Sequence, residues 1–397
     1  MTDYGRAYGT AAELAAACVR QLQSELDGVP DSELEGYLRV AYAAIVKRYG
    51  KSAAQVAVEQ YAETREQQQV AEAYEPTAYE PTNDGLLRWD VSDALSKGTE
   101  TNPRVDLEAL GRHSMRRTME YADYTMDRNC AADPARAKWG LVPHAGACAW
   151  CVYIAGFGFT YNSEGTASRG RHSGCKCSLQ VSFGDGGWPD GYDPDGMRER
   201  ANSCRAAIES DARRAWDSMS LDERREVAGG TNSRAYQKYF SKRTVAEMRT
   251  RDADWLRTGK APTPTFATAE LEKEVKSKRS HELRTASRMC AQGVRADFRV
   301  DKVVYQDKTT GYSQTRGMAD LANGYELKTL VSAASYNTID SHLANASKKG
   351  ETVAVVFDNT ENGSMSDDEL ASFIRRSRRF SRGRVYILDG ESYELIR

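Results

Sequence analysis

The chain has 397 residues, 40% hydrophobic and 28% charged, with a formal net charge of −2. That length suits two or three domains, no apolar run is long enough to cross a bilayer, and a near-neutral total names no class of partner. The distribution says more: residues 267–397 hold 21 Lys+Arg against 19 Asp+Glu, a mildly basic tail on an acidic body, which permits contact with nucleic acid.

From the start the chain reads helical. Leu14, Cys18, Leu22 and Leu26 recur every four residues, which predicts a helix with Cys18 as a small core residue. Pro30 and Asp31 break it, and Ser32-x-x-Glu35 forms a capping box for a second helix burying Leu34, Leu38, Ala41 and Ile45. A third helix is expected from Ser52. A tandem repeat follows, Ala73-Tyr-Glu-Pro-Thr77 and Ala78-Tyr-Glu-Pro-Thr82, whose prolines exclude a regular helix and predict an exposed linker or arm. From Asp106 a long helix carries Met115, Met119, Ala122 and Met126 in one stripe, read as core, with a partner-facing seam as the alternative. His113 and His144 read as ordinary polar residues.

Residues 148–177 gather half of the eight cysteines: Cys148-Ala-Trp-Cys151, a Gly- and Ser-rich excursion, then His172-Ser-Gly-Cys175-Lys-Cys177. Thiolates and imidazoles hold tetrahedral zinc, and Cys-x2-Cys is knuckle spacing. Four ligands suffice, so Cys148, Cys151 and Cys177 are expected, with either His172 or Cys175 completing the set. Met1 to Gln21 shows no basic start followed by an apolar core, so metal is favoured over disulfides. No His-Glu-x-x-His accompanies the cluster, so the zinc is expected to be structural.

This order of residues, with Pro143, Gly146, Gly158 and Tyr161 between and before the ligands, resembles MuF-type minor head proteins of tailed phages. Ala155-Gly156-Phe157-Gly158 stands where Ser-Arg-Gly is common in that family. The resemblance implies a head module over residues 1–190, with the knot at 143–183. It also implies portal and capsid proteins as partners, and a place inside the virion head or at the portal vertex.

After Cys177, Asp185 to Gly196 is rich in Asp, Gly and Pro but lacks the EF-hand order, so it reads as a surface loop. Charged helices over 197–219 and 233–256 make 191–266 a connector, and Ala261-Pro-Thr-Pro-Thr-Phe266 marks a boundary. Residues 267–397 then read as α-β-β-β-α-β-α-β-β. The strands include Val294, Ala296, Phe298 and Val300 in alternation, a hairpin turning at Asn323-Gly324, and an apolar buried strand over 352–357. Ser366-x-x-Glu369 caps the following helix. The fold class is therefore α+β and multidomain: a helical N-terminal region with a zinc-knuckle-like knot, then a C-terminal α/β domain.

Two chemistries fit the polar centre of that domain. Asp320 followed by Glu326-x-Lys328 resembles the core of restriction-type nucleases, where two carboxylates hold Mg²⁺ and lysine steadies water or phosphate. A two-residue turn at Asn323-Gly324, however, points Asp320 away from Glu326 and Lys328; only a three-residue loop or a bulge brings the carboxylates together. The alternative needs no metal. Glu326 and Lys328 share a face, Asn337 and His342 come from the next helix, and acid–base groups plus a cation cleave RNA through its own 2′-hydroxyl. The stretch from Ala319 to Asp358 is similar to toxin domains of contact-dependent inhibition systems, many of them tRNases of the barnase/EndoU/colicin/RelE-like class. That resemblance implies a tRNA or other RNA substrate and an immunity partner. Arg375, Arg376, Arg378, Arg379 and Arg382 read as a solvated face or, beside such a centre, as a candidate phosphate-contact patch. The favoured expectation is a minor head protein carrying an RNase toxin. A restriction-type DNase and a purely structural protein with an inactive appendage are the alternatives.

Overall fold

The computed structural model describes residues 3–81, 84–100, 102–161, 174–184, 187–300, 302–306, 313–349, 351–390 and 392–397. The chain divides into two compact units, Met1–Arg198 and Glu199–Arg397. Among the described residues, no helix is long and apolar enough to cross a membrane.

The first unit is built on α1 (Asp3–Gln21), α2 (Gln23–Leu26), α3 (Asp31–Gln67), α4 (Asp84–Leu95) and α5 (Leu107–Ala132). Its buried stripe on α1 is Tyr8, Ala12, Ala15, Ala16 and Val19; of the four-residue repeat, Leu22 and Leu26 are buried beyond the end of α1, whereas Leu14 is 48% exposed. Cys18 is half-buried against the Tyr49 hydroxyl. The second and third expected helices are one: α3 runs through Ser52 without a break, opens on Pro30, and makes no use of Ser32 as a cap. Leu34, Leu38, Tyr42 and Val46 line its buried side. Gly50 lets α3 approach α5, since a Cβ there would stand 2.5 Å from the Tyr121 ring. Met119, Ala122 and Met126 are buried, as a core stripe requires. A charged tie crosses this core: Arg117 grips Asp90 through Nε and Nη2 at 2.7 and 2.9 Å, and the Tyr42 hydroxyl donates to the same carboxylate.

The tandem repeat is a strap rather than a free arm. The Thr77 N–H and the Tyr74 hydroxyl donate to Asn129 Oδ1, while Asn129 Nδ2 donates to the Thr77 carbonyl. One repeat further on, Thr125 exchanges hydrogen bonds with the backbone of Tyr79. After α5 come β1 (Lys138–Val142), α6 (Ala149–Ala155) and β2 (Ser178–Ser182). β1 and β2 pair antiparallel, Lys138 opposite Ser182 and Val142 opposite Ser178. Trp139 fixes this ribbon to α5 by donating to Asp127.

The second unit opens within α7 (Pro194–Ser218) and continues through α8 (Leu221–Ala228), α9 (Ser233–Met248), α10 (Ala253–Thr258), β3 (Thr265–Phe266), α11 (Ala269–Lys278), α12 (Ser280–Ala291), β4 (Asp297–Phe298), β5 (Lys302–Gln306) and β6 (Ser313–Gly317). Then follow β7 (Tyr325–Thr329), α13 (Tyr336–Lys348), β8 (Ala354–Asp358), α14 (Asp367–Arg376), β9 (Arg384–Asp389) and β10 (Ser392–Leu395). A four-stranded sheet runs in the order β10-β9-β8-β7, with β7, β8 and β9 parallel and β10 antiparallel. β8 is buried throughout, as its apolar run predicts. One face packs Ile339, Leu343, Leu370 and Ile374 of α13 and α14 over Val355, Phe357, Val385 and Ile387. The other packs Met289 of α12, with Ile208, Trp216 and Phe240 of the preceding helices, against Leu327, Val356, Tyr386 and Leu388. The helices of 199–248 thus share a core with the sheet. Ser366 caps α14, as expected. The Val294 strand shrinks to two residues, and Val300 is exposed.

Candidate metal centre and candidate active site

In the first unit, Cys148 is the N-cap of α6 and Cys151 lies in its first turn, while Cys175 and Cys177 precede β2. Gly174, at φ +78°, supplies the left-handed turn that leads into Cys175. The sulfurs of Cys151, Cys175 and Cys177 are buried and lie within 4.8 Å of one another. Cys148 Sγ is 3.7 Å from Cys151 Sγ, which is 3.5 Å from Cys175 Sγ. A zinc ion with Zn–S bonds of about 2.3 Å spaces its sulfurs about 3.8 Å apart, whereas a disulfide needs about 2.05 Å. None of the eight cysteines is in a disulfide. Crowding makes these thiols resist ionisation. Hydrogen bonds to Cys148, Cys175 and Cys177, with burial, push Cys151 up. Cys177 is drawn down by Cys151 but pushed up by Cys175 and burial, to about 12. A cation removes that penalty, so the donor set fits a soft divalent metal. The cluster can bind a metal such as zinc. His172 lies outside the described residues. His144, set aside by the sequence reading, is half-buried within electrostatic reach of Cys175 and Cys148, and its backbone hydrogen-bonds Cys177.

In the second unit the expected two-residue turn is not formed. The Leu321 N–H donates to the Tyr325 carbonyl, so Ala322, Asn323 and Gly324 make a three-residue loop, with Gly324 at φ +83°. Tertiary contacts set it: the Ala322 N–H bonds the Asp297 carbonyl, and Asn323 Nδ2 donates to the Arg295 carbonyl. The extra residue turns Asp320 back to β7, where its Oδ2 accepts from the Leu327 N–H at 2.8 Å. Strand alternation sets Glu326 and Lys328 on one face, opposite Val355 and Phe357 of β8.

The three residues converge. Lys328 Nζ is 2.6 Å from Glu326 Oε1. Lys349, just past α13, reaches both Glu326 oxygens at 2.6 and 2.7 Å and Asp320 Oδ1 at 3.6 Å. From the other side, Arg279 bonds Asp320 at 3.2 Å and pairs with Glu282. Burial, with the Asp320 charge adding to it, raises Glu282 against the pull of Arg279. Asp320 and Glu326 are 4% and 1% exposed, so both charges depend on these partners. Two carboxylates on a shared cation, with a lysine alongside, can hold a hard divalent ion and stabilise charge on a phosphate.

His342 is half-buried on α13, its ring 6.3 Å from that of Phe357. Burial lowers its pKa, and the nearby Lys328 charge lowers it further. Asn337 is exposed at the opposite end of α13 from Lys349. His281 is exposed, and its neighbour Glu282 is the one turned inward. Arg375, Arg376, Arg378, Arg379 and Arg382 are all exposed around the end of α14; Arg376 covers the Tyr336 ring, and Arg379 faces Asp340 at 3.6 Å. Sequence reasoning missed Arg279, Glu282 and Lys349. A terminal Lys348-Lys349 pair on a helix is too ordinary a signal to mark one of them as the partner of two buried carboxylates.

Compared with known proteins, residues 1–204 match the model of a family described as VG15 protein. No curated protein and no solved structure matches.

Proposed function

The chain belongs to the VG15 protein family, a phage-related family, and we propose that it is a minor head protein of the MuF type whose second unit is a metal-dependent nuclease. The family match ends near the boundary between the two units, which supports reading the second as cargo. In this reading the first unit docks to portal and capsid proteins at the head. Cys148, Cys151, Cys175 and Cys177 hold one structural zinc there. The cargo is a toxin for a bacterial competitor, kept in check by an immunity partner.

The convergence of Asp320, Glu326 and Lys328 carries the nuclease reading. Asp320 and Glu326 would hold a divalent ion such as Mg²⁺, which supplies Lewis acidity at the scissile phosphate. Lys328 orients the attacking water and stabilises charge on the non-bridging oxygens as the P–O bond breaks. The exposed arginines from Arg375 to Arg382 hold the flanking backbone.

A second reading rests on His342, close enough to Lys328 to feel its charge. In it, these two residues cleave RNA, tRNA above all, without metal. One experiment separates the two: the full chain is incubated with plasmid DNA and with tRNA, in Mg²⁺ or in EDTA. Cleavage that needs Mg²⁺ and falls by about 100-fold or more in Asp320→Ala and Lys328→Ala supports the metal-dependent nuclease. RNA cleavage that survives EDTA and Asp320→Ala but fails in His342→Ala supports the second reading. No cleavage of either substrate leaves a structural head protein.

A further inference from the structure

We propose that Lys349 is an exchangeable counter-ion, which holds the Asp320–Glu326 pair together without metal and yields its place when a divalent cation binds. This rests on the nuclease reading and concerns how that site is switched on.

Glu326 is 1% exposed and carries two ammonium groups. Lys328 comes from the same strand, two residues on, and its Nζ also donates to the Leu327 carbonyl at 3.0 Å, so strand geometry ties it in place. Lys349 comes from a different element. It lies beyond the last residue of α13, in extended backbone at φ −75° and ψ 139°, and a quarter of its side chain is exposed. Its Nζ contacts both Glu326 oxygens and faces Asp320, the place where one cation serves both carboxylates.

The shared seat makes the exchange a competition. A divalent ion held by Asp320 and Glu326 would meet the Lys349 ammonium in the same buried place, and the two cations repel unless one leaves. Arg279 is pinned between Asp320 and Glu282, with its side chain 15% exposed. Lys349 occupies the shared seat, and its side chain is 26% exposed against 19% for Lys328. Its long stem lets the ammonium move out at little cost.

The test reads metal affinity rather than cleavage. Mn²⁺ binding to the full chain is titrated by calorimetry in the parent protein, Lys349→Met and Lys328→Met. Because Lys349 competes for the seat, Lys349→Met should bind Mn²⁺ about tenfold more tightly or better, and the gain should exceed that of Lys328→Met. Equal or weaker binding in Lys349→Met overturns the proposal. A second measurement needs no variant. Amine-reactive labelling of the parent protein, read by mass spectrometry, should rise at Lys349 on saturation with Mn²⁺; labelling that stays level or falls overturns the proposal, as does a parent protein that binds no Mn²⁺. Tight binding and exposed Lys349 without cleavage of any nucleic acid defeats the nuclease reading alone. Cleavage with neither signature defeats the counter-ion alone.

Discussion

Cys151 contacts the other three sulfurs of the knot, while Cys204 and Cys290 are buried thiols of the second unit and Cys18 is half-buried against a tyrosine hydroxyl. Reduced, unchelated full chain should carry about one zinc, read by metal analysis. Cys151→Ser should lose it and cost about 3 kcal/mol or more, whereas Cys18→Ser should keep it with little loss of stability. Equal zinc in both variants would sink the assignment. At this scale the sequence shows ligand types and spacing well, because Cys148 and Cys151 lie on one helical turn. It shows long-range geometry poorly. Asp320 was legible as a carboxylate near Glu326, but its direction depended on a loop of three residues. Arg295 and Asp297, far back in the chain, decide that loop. Lys349 stands 23 positions from Glu326 and carries no local signal at all.

Between elements, the α3–α5 crossing is the sharpest case of packing against propensity. A separate helix is expected from Ser52, yet α3 runs through Gly50 and Ser52 unbroken. The glycine is there for Tyr121 of α5, whose ring leaves no room for a Cβ. Two effects oppose in Gly50→Ala. Helix propensity favours alanine by about 1 kcal/mol, and overpacking against an aromatic ring costs about 1–3 kcal/mol. The ring belongs to a buried core residue, so overpacking should win and thermal denaturation should show net destabilisation; a more stable variant would refute the crossing. The strap teaches the same lesson from the other side. Pro76 and Pro81 correctly excluded a helix, but what holds the repeat is Asn129 on α5, beyond the reach of local pattern. Asn129→Ala would strip the Thr77 N–H and carbonyl of their partner, at about 1–3 kcal/mol. Limited proteolysis should then cut within 73–81 faster than in the parent chain. An unchanged cleavage rate would mean that the strap is held by its tyrosines alone.

Over the whole molecule, the chain carries separate cores with separate means of holding charge. In the first unit the sulfur knot joins the β1–β2 ribbon and α6, elements too short to bury much apolar surface on their own. In the second, the parallel sheet is buried on both faces and needs no metal to hold its strands. Removing zinc should therefore loosen one and spare the other. Hydrogen exchange on the full chain, before and after treatment with a strong zinc chelator, tests this segment by segment. Protection should fall over 138–142, 149–155 and 178–182, which frame the cysteines, and stay level over 325–329, 354–358 and 384–389 in the sheet. Readdition of zinc should restore the lost protection, because the thiols remain reduced and free to recoordinate. Loss spread equally over both sets of segments would mean that the metal supports the fold at large. No loss anywhere would mean that the sulfurs pack as plain thiols, and the knot would then be a small core rather than a metal centre.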